Sequence, residues 1–285
     1  MSSAKLAIID GHGLIYRAFF AIRSLSTSAG IPTNAVYGFA RMIEQYRRIL
    51  QPTHWIVTFD GGLPVERMAI LASYKAQRPS MPDELRGQIP LISRYLTLSG
   101  VPQVMMDGCE ADDVIATLVS RFARDDMAIV VVSSDKDLLQ LVGAGVTVIR
   151  PSAIDHVLDE AGVKAKMGVG PAVIPDLLAL VGDQSDNIPG VRGVGPKTAA
   201  KLLVKYESVR EVYAHIEEVE PVRIREALRE SRAIVDRNVD LVRLRRDLDT
   251  RVELADIGVK PVDSEALDPF LEELELHTLV RDQRG

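Results

Sequence analysis

Three carboxylates fall within four positions at Glu110-Ala111-Asp112-Asp113, directly ahead of the apolar run Val114-Ile115-Ala116-Thr117-Leu118-Val119. The run spaces as a buried helix, so the acids stand at its first turn, where the helix dipole favours negative charge. That placement accounts for one acid better than for three. Adjacent carboxylates repel, and each further one gains less from the helix end. The cluster therefore wants a positive partner that the neighbouring sequence lacks, and a metal ion would supply it. Taken alone, the segment reads slightly better as an acid-capped helix. The metal reading gains if other segments deliver carboxylates to the same place.

Six more acids are candidates: Asp10, Asp60, Asp135, Asp137, Asp183 and Asp186. Asp135 and Asp137 are two residues apart at a strand end, so both can face one side. Asp183 and Asp186 are three apart in Gly182-Asp183-Gln184-Ser185-Asp186-Asn187, which suits one side of a helical turn. Each singly is as readily a turn or cap aspartate; five segments converging is much harder to obtain by chance. Carboxylates with one cysteine and five histidines in the whole chain suit the hard cations Mg²⁺ or Mn²⁺. Nine acids exceed what one octahedral ion can use and fit two or more. Paired ions about 3.5–4 Å apart activate water and stabilise the leaving oxygen, which is the chemistry of phosphodiester hydrolysis.

A second signal is Gly190-Val191-Arg192-Gly193-Val194-Gly195-Pro196-Lys197-Thr198-Ala199-Ala200-Lys201-Leu202-Leu203. The pattern predicts a hairpin between two short helices. Its glycines let backbone N–H groups approach a phosphate, and the helix N-terminus favours that anion. Arg192, Gly193, Val194, Gly195, Lys197, Thr198 and Lys201 are the candidate DNA contacts, and they would read the backbone and not the base sequence. A glycine turn without a ligand is the plainer alternative. Tyr74-Lys75-Ala76-Gln77-Arg78 sets an aromatic and two cations before Pro79, where Lys75 and Arg78 could neutralise a scissile phosphate. A solvated charged surface competes with that reading. Tyr16 and Arg17 could stack on a base or bind phosphate, with Tyr16 equally suited to the core. His12, in the turn after Asp10, reads as a hydrogen-bonding residue.

Apolar patterning shows what must position these groups. Strands are predicted at Leu6–Asp10, His54–Asp60, Gln103–Met106, Met127–Val132 and Val146–Ile149, alternating with helices, one of them about Asn34–Leu50 with Thr33 as N-cap. Nearly continuous apolar strands predict an α/β fold, a parallel sheet covered on both faces, and ligands bind beyond the carboxyl ends of such strands. Asp10, Asp60 and Asp135 stand at those ends. Residues 61–90 read as a partly helical, mobile excursion. After Pro151 the pattern turns helical, and the predicted organisation is a core over 1–170 and a helical half over 171–285. The 285 residues are 47% apolar and 26% charged, as in soluble globular proteins. No apolar run approaches the ~20 residues needed to span a bilayer, the N-terminus lacks a signal-peptide layout, and one cysteine excludes an internal disulfide. A cytoplasmic protein is predicted. Setting the nine acids aside moves the formal charge from −6 to +3, so a metal-loaded form would show nucleic acid a mildly basic face. Nine arginines against six acids across 223–251 add to it.

In their order, these motifs resemble the structure-specific 5′-nucleases: flap endonucleases and the N-terminal 5′–3′ exonuclease domain of bacterial DNA polymerase I. The matching segments are Asp10-Gly11-His12-Gly13 with Tyr16-Arg17, Phe59-Asp60, Tyr74-Lys75 with Arg78, Glu110–Asp113, Asp135-Lys136-Asp137, Gly182–Asn187 and Gly190–Leu203, covering nearly the whole chain. The resemblance implies a PIN-like parallel-sheet nuclease core with a helix–hairpin–helix subdomain. It implies one metal on Asp10, Asp60, Glu110 and Asp112, and a second on Asp135, Asp137 and Asp183, with Asp113 and Asp186 nearby or bound through water. Lys75 and Arg78 would act on the scissile phosphate, Tyr16 would lie near the terminal nucleotide, and a potassium ion would sit at the hairpin. The implied substrate is DNA with 5′ flaps, nicks or gaps, RNA primers included, cut by a monomer. One departure is Val65-Glu66-Arg67, where the family usually has an aromatic before the Arg; it bears on the balance between exonuclease and flap cleavage.

Two other readings differ in class. A PIN-type ribonuclease is disfavoured by the hairpin, which suits duplex DNA. A non-catalytic DNA-structure-binding module would be expected to lack some acids, and none of the expected ones is missing. An aspartyl-phosphate phosphatase does not fit, because Asp10 has no second Asp two positions on.

Overall fold

Strand β1 (Ala4–Asp10) is apolar on both faces because both are covered. Leu6 and Ile8 enter one core, while Ala7 and Ile9 enter another on the opposite face. The same alternation divides β2 (His54–Gly61), with Ile56 on one side and Trp55 and Val57 on the other. The computed structural model describes residues 4–284. It adds β3 (Gln103–Asp107), β4 (Met127–Val132), β5 (Val146–Arg150) and β6 (Ala153–Leu158), in the spatial order β3-β2-β1-β4-β5-β6. The first five strands pair in parallel, and β6 is antiparallel to β5. The chain builds outward from β1 to β3 and then returns to lay β4 on the other side of β1. The carboxyl ends of β1 and β4 thus border a topological switch point, where such sheets bind ligands.

The helices are α1 (Gly11–Ala21), α2 (Asn34–Leu50), α3 (Val65–Ile70), α4 (Asp83–Arg86), α5 (Ile89–Leu98), α6 (Ala111–Phe122) and α7 (Glu160–Met167), then α8 (Ile174–Val181), α9 (Pro196–Tyr206), α10 (Val209–Ala214), α11 (Val222–Glu230), α12 (Arg232–Val242), α13 (Ser264–Glu273) and α14 (His277–Arg284). Leu14 and Ile15 of α1, Phe39 and Ile43 of α2 and Tyr95 of α5 cover one face of the sheet. Val114 to Val119 of α6 cover the other, together with Leu177, Leu202 and Val235 of the helical half. No described helix is long and apolar enough to cross a membrane.

Three expectations change. The segment after Pro151 is not wholly helical, because β6 forms an edge strand whose mixed residues Asp155, His156 and Val157 are exposed and carry no apolar signature. Thr33 occupies the N-cap position of α2 without a side-chain bond, its backbone (φ −132°, ψ 3°) being outside the extended cap conformation. The open donors go instead to Gln88, whose Oε1 accepts from Ala35 N at 2.8 Å and Val36 N at 3.2 Å. Finally, α13 and α14, grouped by sequence with the helical half, pack against α5 and α2.

Candidate active site

At the switch point the carboxylates are strung on a hydrogen-bonded ladder. Asp10 caps α1, its Oδ1 accepting from Gly13 N at 3.0 Å, and its Oδ2 accepts from Ser133 Oγ at 2.8 Å. Ser133 Oγ accepts in turn from Asp135 N at 3.0 Å, and Asp135 Oδ1 from Asp137 N at 2.8 Å. Asp60, from the end of β2, caps α6: its Oδ1 accepts from Ala111 N at 2.8 Å. Glu110 stands at the cap position of α6 but makes no side-chain cap bond, while Asp112 and Asp113 occupy the first turn, where the helix dipole favours them. His12 is a hydrogen-bonding residue as expected, its Nδ1 accepting from Asp60 N at 3.1 Å.

A short 3₁₀ turn over Asp137–Leu141 and the loop after α8 bring Asp137, Asp183 and Asp186 together, with one oxygen of each within 4.8 Å of the others. That loop closes by backbone bonds between Asp183 and Ile188 at 2.8 and 2.7 Å. Gly182 and Gly190 meet at its neck: a Cβ on Gly190 would lie 2.0 Å from Val181 O. Gly190 is therefore required for backbone packing and not for approach to a phosphate. Asp183 accepts from Ser185 N at 2.8 Å, Ser185 Oγ at 2.6 Å and Lys136 Nζ at 3.0 Å. Asp186 accepts from Tyr74 Oη at 3.0 Å and Arg78 Nη2 at 2.6 Å. Lys75 Nζ bonds Glu110 Oε1 and lies 3.8 Å from Asp186 Oδ2. Its backbone is left-handed (φ +54°), a strained state for lysine that recurs at functional sites, and its N–H donates to Asp186 O at 3.0 Å.

Burial raises the pKa of Asp10, with Asp60 and Asp135 adding repulsion. Asp112 is pushed well above the carboxylate range by burial and by Asp135, Asp10 and Asp137. Asp137 is pushed up likewise, by burial and by Asp135, Asp186 and Asp183. Burial also raises Asp135. Asp183 moves the other way, because Ser185 and Lys136 outweigh its burial. Burial works against the Lys75 ammonium, but Glu110 and Asp186 outweigh it and raise the pKa; Lys75 is a fixed cation here and not a base. Asp137 Oδ1 is buried and accepts no hydrogen bond. A partnerless buried oxygen among repelling carboxylates is the donor set that a divalent cation satisfies.

Residues 5–168 match the family of 5′-3′ exonuclease N-terminal, resolvase-like domains, and residues 169–265 match the C-terminal SAM fold of the same enzymes. The chain belongs to the 5′-3′ exonuclease family. It is 43% identical over 277 residues to a 5′-3′ exonuclease of Aquifex aeolicus, covering 97% of this chain and 94% of that one. It is 39% identical over 282 residues to DNA polymerase I of Caldicellulosiruptor bescii, covering 97% of this chain but 33% of the polymerase. The chain thus spans about a third of that relative's length. T5 5′-exonuclease bound to zinc has the same fold, with a TM-score of 0.70 at 22% identity over 95% of this chain and 98% of that one. So does the catalytic core of Rad2 in complex with DNA substrate, with a TM-score of 0.64 at 18% identity over 95% and 88%. The chain is a nuclease with a PIN-like, parallel-sheet N-terminal core and a SAM-like helical C-terminal domain.

The nuclease departs from its sequence reading at three candidate site residues. Asp113 does not face the acid cluster. Successive helical residues point about 100° apart, and while Asp112 enters the crevice, Asp113 pairs with Arg67: Nη1 lies 2.5 Å from Oδ2 and Nη2 2.8 Å from Oδ1, with Arg245 N at 2.9 Å from Oδ1. Tyr74 is not a surface aromatic. It is 6% exposed, and its hydroxyl donates into the acids because an apolar ring with a polar tip is well housed beneath them. Val194 is not a surface contact but is buried in the core of the helical half.

Arg67 is the residue the sequence reading passed over. The Val65-Glu66-Arg67 departure marks its place, and the 43 and 46 positions that separate it from Glu110 and Asp113 hide its partners. The remaining candidates lie where DNA could reach them. Tyr16 is half-buried, its ring stacked 6.3 Å from the exposed Phe20, and Arg17 is exposed. Arg192, Gly193, Gly195, Lys197 and Lys201 are exposed and Thr198 is half-buried. Gly193 is left-handed (φ +79°), and α9 begins with Gly195 as cap and Pro196 at its first position. The hairpin does not join two helices directly, because the Asp183–Ile188 loop separates it from α8.

Proposed function

We propose that this nuclease hydrolyses phosphodiester bonds near the 5′ ends of branched, nicked or gapped DNA, as a 5′–3′ exonuclease and flap endonuclease releasing 5′-phosphate products. The observation that carries the reading is Asp137, whose Oδ1 is buried without a donor beside Asp183 and Asp186. Two or more Mg²⁺ or Mn²⁺ ions would be held by Asp10, Asp60, Glu110 and Asp112 on one side and Asp135, Asp137 and Asp183 on the other, with Asp186 close by. Such ions supply charge that activates water and offsets the negative charge developing on the phosphodiester.

The chain's own residues do the rest. Lys75 and Arg78 rise from one short segment to the edge of the acids and would transfer their N–H donors to the scissile phosphate as it enters. Tyr16 would stack near the terminal nucleotide and Arg17 would meet its phosphate. The N–H groups of the first turn of α9, with Lys197 and Lys201, would hold the duplex backbone, and a potassium ion would join them there. We assign the chemistry to residues 1–170 together with Asp183 and Asp186 from the second half, and the grip to the hairpin of 171–285. The reading extends to a monomer acting in the cytoplasm, with RNA primers among its substrates.

Labelled 5′-flap DNA incubated with the protein, in EDTA and after restoring magnesium, tests this. Cleavage to 5′-phosphate products only with the metal is expected. Cleavage persisting in EDTA would overturn the metal reading, and tight flap binding with no cleavage at any metal concentration would favour a non-catalytic module.

A further inference from the structure

Residues 241–248, at and after the end of α12, form a strap across both carboxylate-bearing elements. On one side it meets α3 and α6: Leu241 O accepts from Arg67 Nε at 2.9 Å, and Arg245 N donates to Asp113 Oδ1 at 2.9 Å. The guanidinium that Leu241 and Asp113 fix presents Nη1 to Glu110 Oε2 at 2.5 Å. On the other side is Gln140, which is 6% exposed and lies in the 3₁₀ turn that starts at Asp137. Its Nε2 donates to Val242 O at 3.0 Å and to Asp137 O at 2.9 Å, and its Oε1 accepts from Leu244 N at 3.1 Å. The strap has a rigid base. Asn238 of α12, wholly buried, donates to Ala179 O at 3.0 Å and to Pro189 O at 2.7 Å.

We propose that Gln140 and Arg67 are paired positioning residues, holding Asp137 and Glu110 at a fixed separation through the strap. Neither touches a reacting atom. A carboxylate that must meet a cation within a few tenths of an ångström gains from a partner that removes its rotational freedom, and such outer partners typically change metal affinity about 10–100-fold. Gln140 fixes the backbone of Asp137, and Arg67 fixes the carboxylate of Glu110. Because Arg67 bonds Leu241 and Gln140 bonds Val242 and Leu244 of the same short strap, loosening one end also relaxes the other.

This inference rests on the metal-site reading proposed above. Its test is Mn²⁺ binding by calorimetry on the full chain without DNA, well below the thermal midpoint of each variant. Gln140→Met and Arg67→Lys should each weaken Mn²⁺ about tenfold, and the double variant should weaken it clearly less than the product of the two, the mark of a shared element. At saturating DNA, kcat should fall and recover as Mn²⁺ is raised, with KM for DNA unchanged. If Gln140→Met does not fold, Gln140→Asn replaces it, being one methylene too short to reach both carbonyls. A folded variant that binds Mn²⁺ within about twofold of the unaltered protein, or losses that multiply fully, would overturn the inference. Asp137→Asn is the control: if it also binds Mn²⁺ normally, the metal-site reading fails, whereas if it alone loses binding, only the positioning inference fails.

Discussion

Beside the excursion, Glu110, Asp113, Asp183 and Asp186 each touch a cation that the chain supplies: Lys75 or Arg67, Arg67 again, Lys136 at 3.0 Å and Arg78 at 2.6 Å. In the crevice between β1 and β4, Asp10, Asp112, Asp135 and Asp137 face one another, and each is pushed up by burial and repulsion. The two groups are neighbours with the same chemistry, so the difference lies in what completes them. Charges the chain neutralises itself brace the structure. Charges it leaves repelling are the ones that the proposed ions would complete. Asp183 and Glu110 belong to both: Asp183 is paired with Lys136 yet placed beside Asp137, and Glu110 is held by Arg67 and Lys75 yet stands among the proposed ligands.

The largest expected effect is on the braced side. Arg67→Ala leaves Asp113 and Glu110 buried without their guanidinium and should cost about 3–5 kcal/mol of unfolding free energy, measured by denaturant titration. A loss under 1 kcal/mol would mean that the pair braces nothing. On the repelling side, Asp137→Asn should lower kcat on flap DNA about 10²–10³-fold while raising the thermal midpoint in EDTA, since it removes repulsion. A lowered midpoint would erase the contrast between the two groups.

A pH series sharpens the comparison further. Asp10, Asp112, Asp135 and Asp137 have folded pKa values raised above 3.8. Their contribution to stability is full below that pH and is lost as pH rises through the folded values. Asp183, lowered from 3.8, contributes with the opposite sign: stability present above that value and lost as pH falls. Scanning calorimetry should therefore show Mg²⁺ raising the midpoint at pH 7 and hardly at all near pH 4, where protons already quench the repulsion. An equal rise at both would contradict the assignment. The smallest effect belongs to the hairpin. Lys197→Ala and Lys201→Ala should each weaken duplex binding at all sequences alike and reduce the slope of log affinity against log salt by about 0.9, with kcat unchanged.

Much of this was legible in the chain. β1, β2 and β4 are apolar runs with acids at their carboxyl ends, and a parallel sheet dictates that those ends share an edge. Asp10, Asp60 and Asp135 followed from that alone. What escaped depended on direction and on distant partners. Asp112 and Asp113 are one residue apart and face different environments, which only the packing of α3 decides. Thr33 looks like a cap, but Gln88 performs that role from 55 positions on in the sequence. β6 lacks an apolar stripe because it is an edge strand, and Gly190 reads as a phosphate glycine when the Val181 carbonyl packed against it leaves no room for a Cβ.

Asp10 carries a consequence for the order of events during assembly. Both of its oxygens are already engaged, one by Gly13 and one by Ser133, so its aim is set as soon as β1, α1 and the end of β4 have joined. The proposed cation would then arrive at a finished mould and have no part in casting it, unlike the ion of a zinc finger, whose chain stays unfolded without it. A chelator should silence this nuclease without dismantling it, and restoring the ion should return full activity within mixing time, with no refolding lag.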